Sequence, residues 1–251
     1  MIAYPNAKIN LGLNVVSKRL DGFHDIQTLF VPYFGLSDVL EVVFADEPTI
    51  YKYGLSYPGN PKDNLCFKAY QLMAAKYGIG PVGIYLYKNI PVGAGLGGGS
   101  ADAAFTLKLI NDLFKLNLSN EELAADAALL GSDCAFFIHN RPMLAQGRGE
   151  ILSDCQLQLD DYRIELVTLP IHVSTSEAYK GIVPAQPALS ISQIVSFPME
   201  QWRYFLVNDF EKSVFAAHPE IAAAKQSLYD RGAIYASMSG SGSSVYGIFK
   251  K

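Results

Sequence analysis

Little in the sequence suggests a secreted or metal-binding protein. Only three cysteines occur among the 251 residues, at Cys66, Cys134 and Cys155, and no two of them have the Cys-x-x-Cys spacing. An odd number of cysteines without that spacing predicts neither a disulfide framework nor a zinc site. We interpret the three as small buried hydrophobic residues.

Long apolar runs and excess positive charge are also missing. No uncharged apolar run approaches the roughly 18 residues of a transmembrane helix, and residues 1–8 lack the basic start and apolar core of a signal peptide. The formal net charge is -4, so no overall positive field attracts a nucleic-acid backbone. We therefore expect a cytoplasmic protein with neither a nucleic-acid nor a membrane partner.

The composition and length indicate an ordinary globular protein of one or two domains. Half of the residues are hydrophobic and 18% are charged, which excludes disordered and fibrous classes. The pattern of predicted helices and strands changes near residue 150, where we expect a domain boundary. Strands mixed with helices in irregular order favour the α+β class.

Local signals predict the main elements. Short β-branched or aromatic stretches predict strands at 38–44, 83–87, 162–169 and 244–249. Apolar spacing and caps predict a helix between Asn64 and Gly78, and a second one with its apolar face over 103–114. A Ser-x-x-Glu capping box at Ser119 predicts a short helix that ends near Gly131. Another helix is expected from Pro219 to Gly232.

A glycine run at residues 91–100 stands just before the helix with the strongest apolar periodicity. It has five glycines within seven residues, followed by Ser100. Backbone N–H groups of such a loop and the positive end of the helix form an anion site, where Ser100 offers a hydroxyl to a phosphate oxygen. The alternative is a turn that only reverses the chain, for which five glycines are excessive.

The glycine run fits two common phosphate motifs poorly. Gly93, Gly95 and Gly98 match Gly-x-Gly-x-x-Gly, but no strand ending in Asp or Glu follows about 20 residues later. The residue directly before Ser100 is not a lysine, so the Gly-x-x-x-x-Gly-Lys-Ser/Thr loop is excluded. A lysine that steadies the phosphates must come from elsewhere in the chain, and Lys8 and Lys88 are the candidates.

The run resembles the second motif of the GHMP kinase superfamily, Pro-x-x-x-Gly-Leu-Gly-Ser-Ser-Ala, with glycines at the Ser positions. The matching residues are Pro91, Gly95, Leu96, Gly97, Gly98, Gly99, Ser100 and Ala101. Further segments resemble the superfamily in order at 5–11, 21–24, 131–133, 147–150 and 238–242. The similarity covers nearly the whole chain.

The resemblance implies a two-domain α+β fold. Its N-terminal, β-rich nucleotide-binding domain would be residues 1–150 and its C-terminal substrate domain residues 151–251. It also implies use of ATP with Mg²⁺ to phosphorylate the 2-hydroxyl of a cytidine-diphosphate-linked methylerythritol, in the non-mevalonate isoprenoid pathway. Open alternatives are a kinase for homoserine or a mevalonate-type alcohol, and a nucleotide-binding module without activity. A dinucleotide-dependent oxidoreductase is disfavoured.

The resemblance also assigns residues. Asp133 is the implied catalytic acid residue that accepts the hydroxyl proton, with Lys8 orienting it and offsetting developing charge. The cofactor-binding residues implied are Asn64, Lys88, Pro91, Gly93, Gly95, Leu96, Gly97, Gly98, Gly99, Ser100 and Ala101. The substrate-binding residues implied are Asn10, Phe23, His24, Asp133, Thr175, Tyr179, Gly240 and Ser241. No metal ligands are assigned.

Each of these residues has an ordinary alternative when taken alone. Asp133 could be a loop acid and Lys8 a solvated strand lysine, while Asn64 and Thr175 could cap helices. The sequence also departs from the family at three places. Phe23 replaces a common tyrosine, Cys134-Ala135 replaces a frequent Val-Pro, and Asp102 stands where asparagine is common. We expect Asp102 to point away from the phosphates, because a carboxylate aimed at them would repel them.

Overall fold

The computed structural model of the protein describes residues 1–56 and 60–251. Helices and strands mix irregularly along the chain, so the predicted α+β class is confirmed. No helix in the described ranges is long and apolar enough to cross a membrane.

The strands are β1 Ile2–Ala3, β2 Asn6–Lys18, β3 His24–Ser37, β4 Val39–Phe44, β5 Thr49–Gly54, β6 Val82–Lys88, β7 Met143–Gln146, β8 Ile151–Asp154, β9 Tyr162–Val167, β10 Tyr235–Met238 and β11 Val245–Lys250. The helices are α1 Leu65–Tyr77, α2 Gly98–Leu113, α3 Asn120–Ala128, α4 Cys134–His139, α5 Thr175–Ala178, α6 Ile191–Ile194, α7 Met199–Phe205, α8 Glu211–Ala217 and α9 Pro219–Asp230, with a 3-10 turn at Pro61–Asp63.

The chain folds into two units whose sequence segments alternate. Unit 1 consists of residues 1–8, 32–92 and 97–141, and unit 2 of residues 9–31, 93–96 and 142–251. The long strands β2 and β3 each begin in one unit and end in the other, which is why the units are not two consecutive segments. The functional domains expected at 1–150 and 151–251 stay a prediction.

Unit 1 contains a sheet with the strand order β1-β4-β6-β5. The pairing of β4 with β6 is antiparallel and that of β5 with β6 is parallel. Side chains alternate between the two faces of the sheet: Leu40 and Ile84 are fully buried, whereas Tyr85 and Tyr87 are exposed. Helices α1 and α2 pack on the buried face.

Helix ends in unit 1 follow the local signals. The Asn64 side chain accepts the Cys66 N–H at 2.8 Å at the start of α1, and Gly78 ends this helix in the left-handed conformation. The capping box at Ser119 is also confirmed, although α3 ends at Ala128, before the predicted stop. Helix α2 begins at Gly98, inside the glycine run and earlier than its apolar face predicts.

Unit 2 contains two sheets, with the orders β2-β3-β7-β8 and β10-β11-β9. The second is antiparallel throughout, and α9 packs against it. This helix starts at Pro219 as predicted, and Gly232 follows its end with a φ of +93°. The core of unit 2 includes Leu13, Val15, Ile26, Phe210, Val214, Ile221, Leu228, Ala236 and Val245.

Candidate active site

Backbone conformation explains why three residues of the run are glycines. Gly93, Gly95 and Gly97 have φ angles of +75°, +76° and +70°, which side-chain-bearing residues rarely adopt. Gly97 is also the residue that precedes α2. A Cβ on it would lie 3.1 Å from Lys8 Cε and 3.0 Å from the ring of Phe137. Glycine is therefore required at 97 for both conformation and space.

Gly99 is different, because neither conformation nor packing in unit 1 requires a glycine there. It is exposed, it has no positive φ, and a Cβ on it would approach no described atom more closely than Leu65 Cδ1 at 3.8 Å. Its position in the first turn of α2 leaves open surface beside backbone N–H groups. Such a surface allows a phosphate to approach the main chain closely.

Lys8 and Asp133 lie together in unit 1. The Lys8 Nζ is 3.5 Å from the Asp133 Oδ2, and Lys8 is only 4% exposed. Asp133 immediately precedes α4, but its carboxylate makes no capping hydrogen bond to that helix. At the other end of α4, the side-chain amides of Asn6 and Asn140 bind each other at 2.8 and 3.1 Å. This amide pair fixes the start of β2, and hence Lys8, relative to the helix that carries Asp133.

Burial lowers the pKa of Lys8, and the neighbouring Asp133 offsets part of that change. Ser100 lies close by, since a Cβ on Gly131 would be 4.0 Å from its Oγ. Burial raises the pKa of the Cys134 thiol, and the nearby Ser100 hydroxyl offsets part of that change. Unit 1 thus assembles a carboxylate, a buried amine and a hydroxyl beside the start of α2. That arrangement can accept a proton from an alcohol next to a bound phosphate.

Two further unit 1 candidates, Asn64 and Lys88, make structural contacts. The Asn64 side chain caps α1. The Lys88 Nζ is buried and donates to the carboxylates of Asp38 and Asp102. The charge of its ammonium group is therefore directed to these two aspartates, and a place for Lys88 beside the nucleotide stays a prediction. Asp102 is buried against Lys88, whereas no sequence signal pointed to Asp38.

Among the substrate candidates, unit 2 brings His24 and Tyr179 into direct contact. Their rings are stacked, with centroids 4.5 Å apart and planes inclined by 17°. Tyr179 is also held edge-on by Phe210 at 4.7 Å. Phe23 is exposed, and the Arg148 guanidinium lies 5.1 Å from its ring centroid. Arg148 belongs to the 147–150 segment, for which the sequence suggested no role.

The loop that contains Gly240 contacts the glycine run within unit 2. The Ser239 hydroxyl donates to the Gly95 carbonyl at 2.8 Å, and a Cβ on Gly95 would lie 1.9 Å from the Ser239 carbonyl oxygen. A Cβ on Gly240, whose φ is +55°, would lie 3.2 Å from the Gly95 Cα. Both glycines are therefore needed for this close approach. Ser241 is half-buried in the turn that follows.

Thr175 is the first residue of α5, one helical turn before Tyr179, whose N–H binds the Thr175 carbonyl at 3.1 Å. The alternative role of Thr175 as a helix cap is wrong, because the Ser174 hydroxyl accepts the Glu177 N–H at 3.1 Å. In the glycine run, Leu96 is buried and Pro91 is half-buried, and Ala101, just after the run, is also buried.

Comparisons with known proteins show the family of the chain. The profile of the GHMP kinases N terminal domain matches residues 64–141, and that of the GHMP kinases C terminal domain matches residues 198–251. A 4-diphosphocytidyl-2-C-methyl-D-erythritol kinase of Azobacteroides pseudotrichonymphae is 53% identical over 100% of this chain and 94% of its own length.

Solved structures give the same result. A crystal structure of a 4-(cytidine 5'-diphospho)-2C-methyl-D-erythritol kinase superposes with a TM-score of 0.80 at 33% identity, covering 98% of this chain and 89% of that one. A homoserine kinase from Cytophaga hutchinsonii superposes with a TM-score of 0.69 at 18% identity, covering 98% and 85%. The second likeness shows a shared fold alone. The chain therefore belongs to the GHMP kinase family, in the branch of the 4-diphosphocytidyl-2-C-methyl-D-erythritol kinases.

Proposed function

We propose that the protein transfers the γ-phosphate of ATP to the 2-hydroxyl of 4-diphosphocytidyl-2-C-methyl-D-erythritol. The observation that carries the proposal is the pairing of Lys8 with Asp133 at 3.5 Å in the unit that also holds Ser100 and the start of α2. High identity over the full chain supports this alcohol over homoserine or a mevalonate-type alcohol.

In the proposed reaction, Asp133 accepts the proton of the 2-hydroxyl as that oxygen attacks the γ-phosphorus. The bond to the β,γ-bridging oxygen breaks, and ADP leaves with the electron pair. Lys8 orients the Asp133 carboxylate and offsets negative charge that develops during the transfer. Because Lys8 is buried, its charge acts in a region of low dielectric, where it is less screened than at the surface.

The glycine run is proposed to hold the triphosphate. A kinase of the GHMP family uses ATP as its substrate, and Gly99 leaves the main chain of α2 accessible for phosphate contact. Asn64, at the start of α1, is proposed to line the adenine site, and Ser100 to donate its hydroxyl to a phosphate oxygen. Lys88 is proposed to lie at the adenine site as well, with its ammonium group held by Asp38 and Asp102.

Mg²⁺ is proposed to accompany ATP. Among residues 1–56 and 60–251, no group of three or more His, Cys, Asp or Glu side chains is arranged to hold a metal ion. This fits a Mg²⁺ ion that is held mainly by substrate phosphates and water, as in many phosphotransferases. The ion would neutralise triphosphate charge, and no protein ligand is assigned to it.

The cytidine end of the substrate is proposed to bind at the aromatic residues of unit 2. His24 offers ring nitrogens to the cytosine edge, and Phe23 and Tyr179 offer faces for stacking. Asn10, Thr175, Gly240 and Ser241 are proposed to contact the remainder of the substrate. The domain assignment of 1–150 to nucleotide and 151–251 to substrate remains a proposal, as does a cytoplasmic location.

Calorimetry tests the substrate class directly. We expect cytidine diphosphate to bind and uridine diphosphate to bind at least about tenfold more weakly, because an unmatched buried polar edge costs about 1–3 kcal/mol. A parallel assay of ADP release should show turnover with the cytidyl substrate and none with homoserine or mevalonate. Equal binding of the two nucleotides, together with turnover of homoserine or mevalonate, would assign the protein to another kinase of the family.

A further inference from the structure

Three charged side chains are buried together in unit 1, close to the start of α2. Asp38, Lys88 and Asp102 are each at most 3% exposed, and we call them the buried trio. The Lys88 Nζ donates to Asp102 Oδ2 at 2.7 Å and also to Asp38 Oδ2. Taking charges out of water is costly, and a buried ion pair often stabilises a fold no better than apolar residues would. Stability alone therefore does not account for these three buried charges.

The trio joins the two ends of the glycine run. Lys88 is the last residue of β6, and Asp38 Oδ1 accepts the N–H groups of the next two residues, Asn89 at 2.6 Å and Ile90 at 2.9 Å. These residues lead directly into the run at Pro91. Asp102 lies on α2, which leaves the run. A single ammonium group thus connects the strand that enters the run with the helix that follows it.

Packing at Gly98 shows how closely the two ends meet. A Cβ on Gly98, the first residue of α2, would lie 2.8 Å from Ile90 Cγ2 and 3.2 Å from Lys88 Nζ. The start of the helix therefore rests directly on Lys88. We expect displacement of the Lys88 ammonium group to disturb the first turn of α2, whose N–H groups are proposed to face the phosphates.

The charges of the trio do not balance if both carboxyl groups are ionised. Two carboxylates and one ammonium leave one excess negative charge, and Asp102 Oδ1 is buried with no hydrogen-bond partner among the described residues. Both oxygens of Asp38, in contrast, accept hydrogen bonds. An ionised carboxylate is costly where one oxygen is buried without a donor, so the extra proton is better placed on Asp102 than on Asp38.

The electrostatic environment agrees with this identification. Burial raises the pKa of Asp102 to about 8, against the attraction of Lys88 and with the repulsion of Asp38. Burial lowers the pKa of Lys88, but the two carboxylates outweigh it and the net change is upward. From α1, the Cys66 thiol faces the trio with its own pKa raised. On α2 itself, the Thr106 hydroxyl donates to the Asp102 carbonyl.

We propose that the buried trio is a positioning device that sets the phosphate-binding shape of the glycine run, and that it works as a neutral unit with the proton on Asp102. The inference rests on the proposed function only in that the run binds ATP. The identity of the alcohol does not enter, so ATP affinity measured without any alcohol tests the trio separately.

Substitution of the two aspartates should give opposite results. Asp38→Asn places a neutral amide against Lys88 and removes the negative charge from the acceptor of the Asn89 and Ile90 N–H groups. ATP should therefore bind about tenfold more weakly. Asp102→Asn resembles the protonated carboxyl group but has no proton to lose. At pH 9 it should bind ATP severalfold more tightly than the parent protein, whose Asp102 is then ionised beneath the phosphate site.

Asp126→Asn is a matched control, because Asp126 is another buried, ion-paired aspartate of unit 1, on α3. It should lower the melting temperature and leave the ATP dissociation constant unchanged.

The measurement is the affinity for ATP from pH 7 to 9 for each folded variant. Each affinity is divided by that of the parent protein at the same pH, so that the titration of ATP and of Lys8 cancels. A weaker Asp38→Asn and a ratio for Asp102→Asn that improves with pH support the proposal. The proposal would be overturned if Asp38→Asn binds ATP as tightly as the parent protein, or if the affinity ratio for Asp102→Asn does not change with pH. If Asp38→Asn does not fold, the affinity ratio for Asp102→Asn decides alone.

Discussion

The Lys8 Nζ and the Asp133 Oδ2 lie 3.5 Å apart, although these residues come from opposite ends of unit 1 in the sequence. The lysine is almost fully buried, whereas the Asp133 side chain is 29% exposed. An accessible carboxylate beside a buried amine is suited to receive a proton from an incoming alcohol.

Replacing Asp133 should separate chemistry from nucleotide binding. Asp133→Asn removes the proton acceptor, and turnover should fall by roughly 10²- to 10⁴-fold, the usual contribution of general base catalysis. ATP affinity, measured by calorimetry, should remain near that of the parent protein. Asp112→Asn, on exposed α2 surface, is the control that should retain turnover. Unchanged turnover of Asp133→Asn would remove the residue from its assigned role.

The charge of Lys8 should limit turnover in alkaline solution. Burial lowers the pKa of Lys8, so the cation that orients Asp133 is lost at a lower pH than for an exposed lysine. Turnover should therefore decline as the pH rises toward the ordinary lysine range, and Lys8→Arg should move this decline upward. Lys8→Met should be inactive at every pH. A pH–rate profile that is the same for Lys8→Arg and the parent protein would contradict the assignment.

Two glycines of the run should respond differently to alanine. Gly95→Ala places a Cβ 1.9 Å from the Ser239 carbonyl at a φ of +76°, so its melting temperature should fall by several degrees. Gly99→Ala meets no described atom within 3.8 Å and should melt with the parent protein. Its ATP dissociation constant should nevertheless rise about tenfold, because the methyl group occupies the surface assigned to phosphate. Normal ATP affinity of Gly99→Ala would place the triphosphate elsewhere.

Changes at the aromatic residues of unit 2 should affect the cytidyl substrate and not ATP. His24→Ala removes ring nitrogens and a ring stacked on Tyr179 at 4.5 Å, so KM for the cytidyl substrate should rise about tenfold or more. Phe23→Tyr restores the residue common in the family and should leave stacking intact. Steady-state kinetics with each substrate varied in turn provide the measurement. A rise in the ATP KM alone would assign His24 to the nucleotide instead.

Stability should also depend on Asp102. Its folded pKa of about 8 lies above the ordinary carboxyl value, so the folded state keeps a proton that the unfolded chain has lost. The contribution of Asp102 to the unfolding free energy is therefore fully present below about pH 4 and is lost as pH rises to about 8. Asp102→Asn should lack this loss. Urea denaturation of both proteins at pH 5, 7 and 8.5 measures the difference, and parallel pH dependences would contradict the assigned proton.

Local signals predicted several helix ends because a cap depends on neighbouring residues. The Asn64 and Ser119 side chains bind N–H groups two or three residues away, and Pro219 starts α9 where its missing N–H is harmless. The same reasoning placed the start of α2 too late, because apolar periodicity does not mark a helix that opens with glycines. Strand ends differed by one or two residues.

Contacts between distant residues could not be predicted in this way. The Asn6–Asn140 amide pair spans 134 positions and the Lys88–Asp38 pair spans 50. Nothing local distinguishes Asp38 from an exposed loop acid, so the ion pair that it forms with Lys88 could not be predicted. The resemblance named Lys8 and Asp133, but only the fold shows that the lysine is buried and that α4 holds the aspartate beside it.

The proposed transfer is tested most directly by product analysis. The protein is incubated with ATP, Mg²⁺ and 4-diphosphocytidyl-2-C-methyl-D-erythritol, and the phosphorus NMR spectrum is followed with Asp133→Asn as the control. We predict one new phosphomonoester on the 2-oxygen for each ADP released. The variant should form this product at least about 10²-fold more slowly than the parent protein. A well-folded protein that releases no ADP, or that phosphorylates another position, would contradict the account.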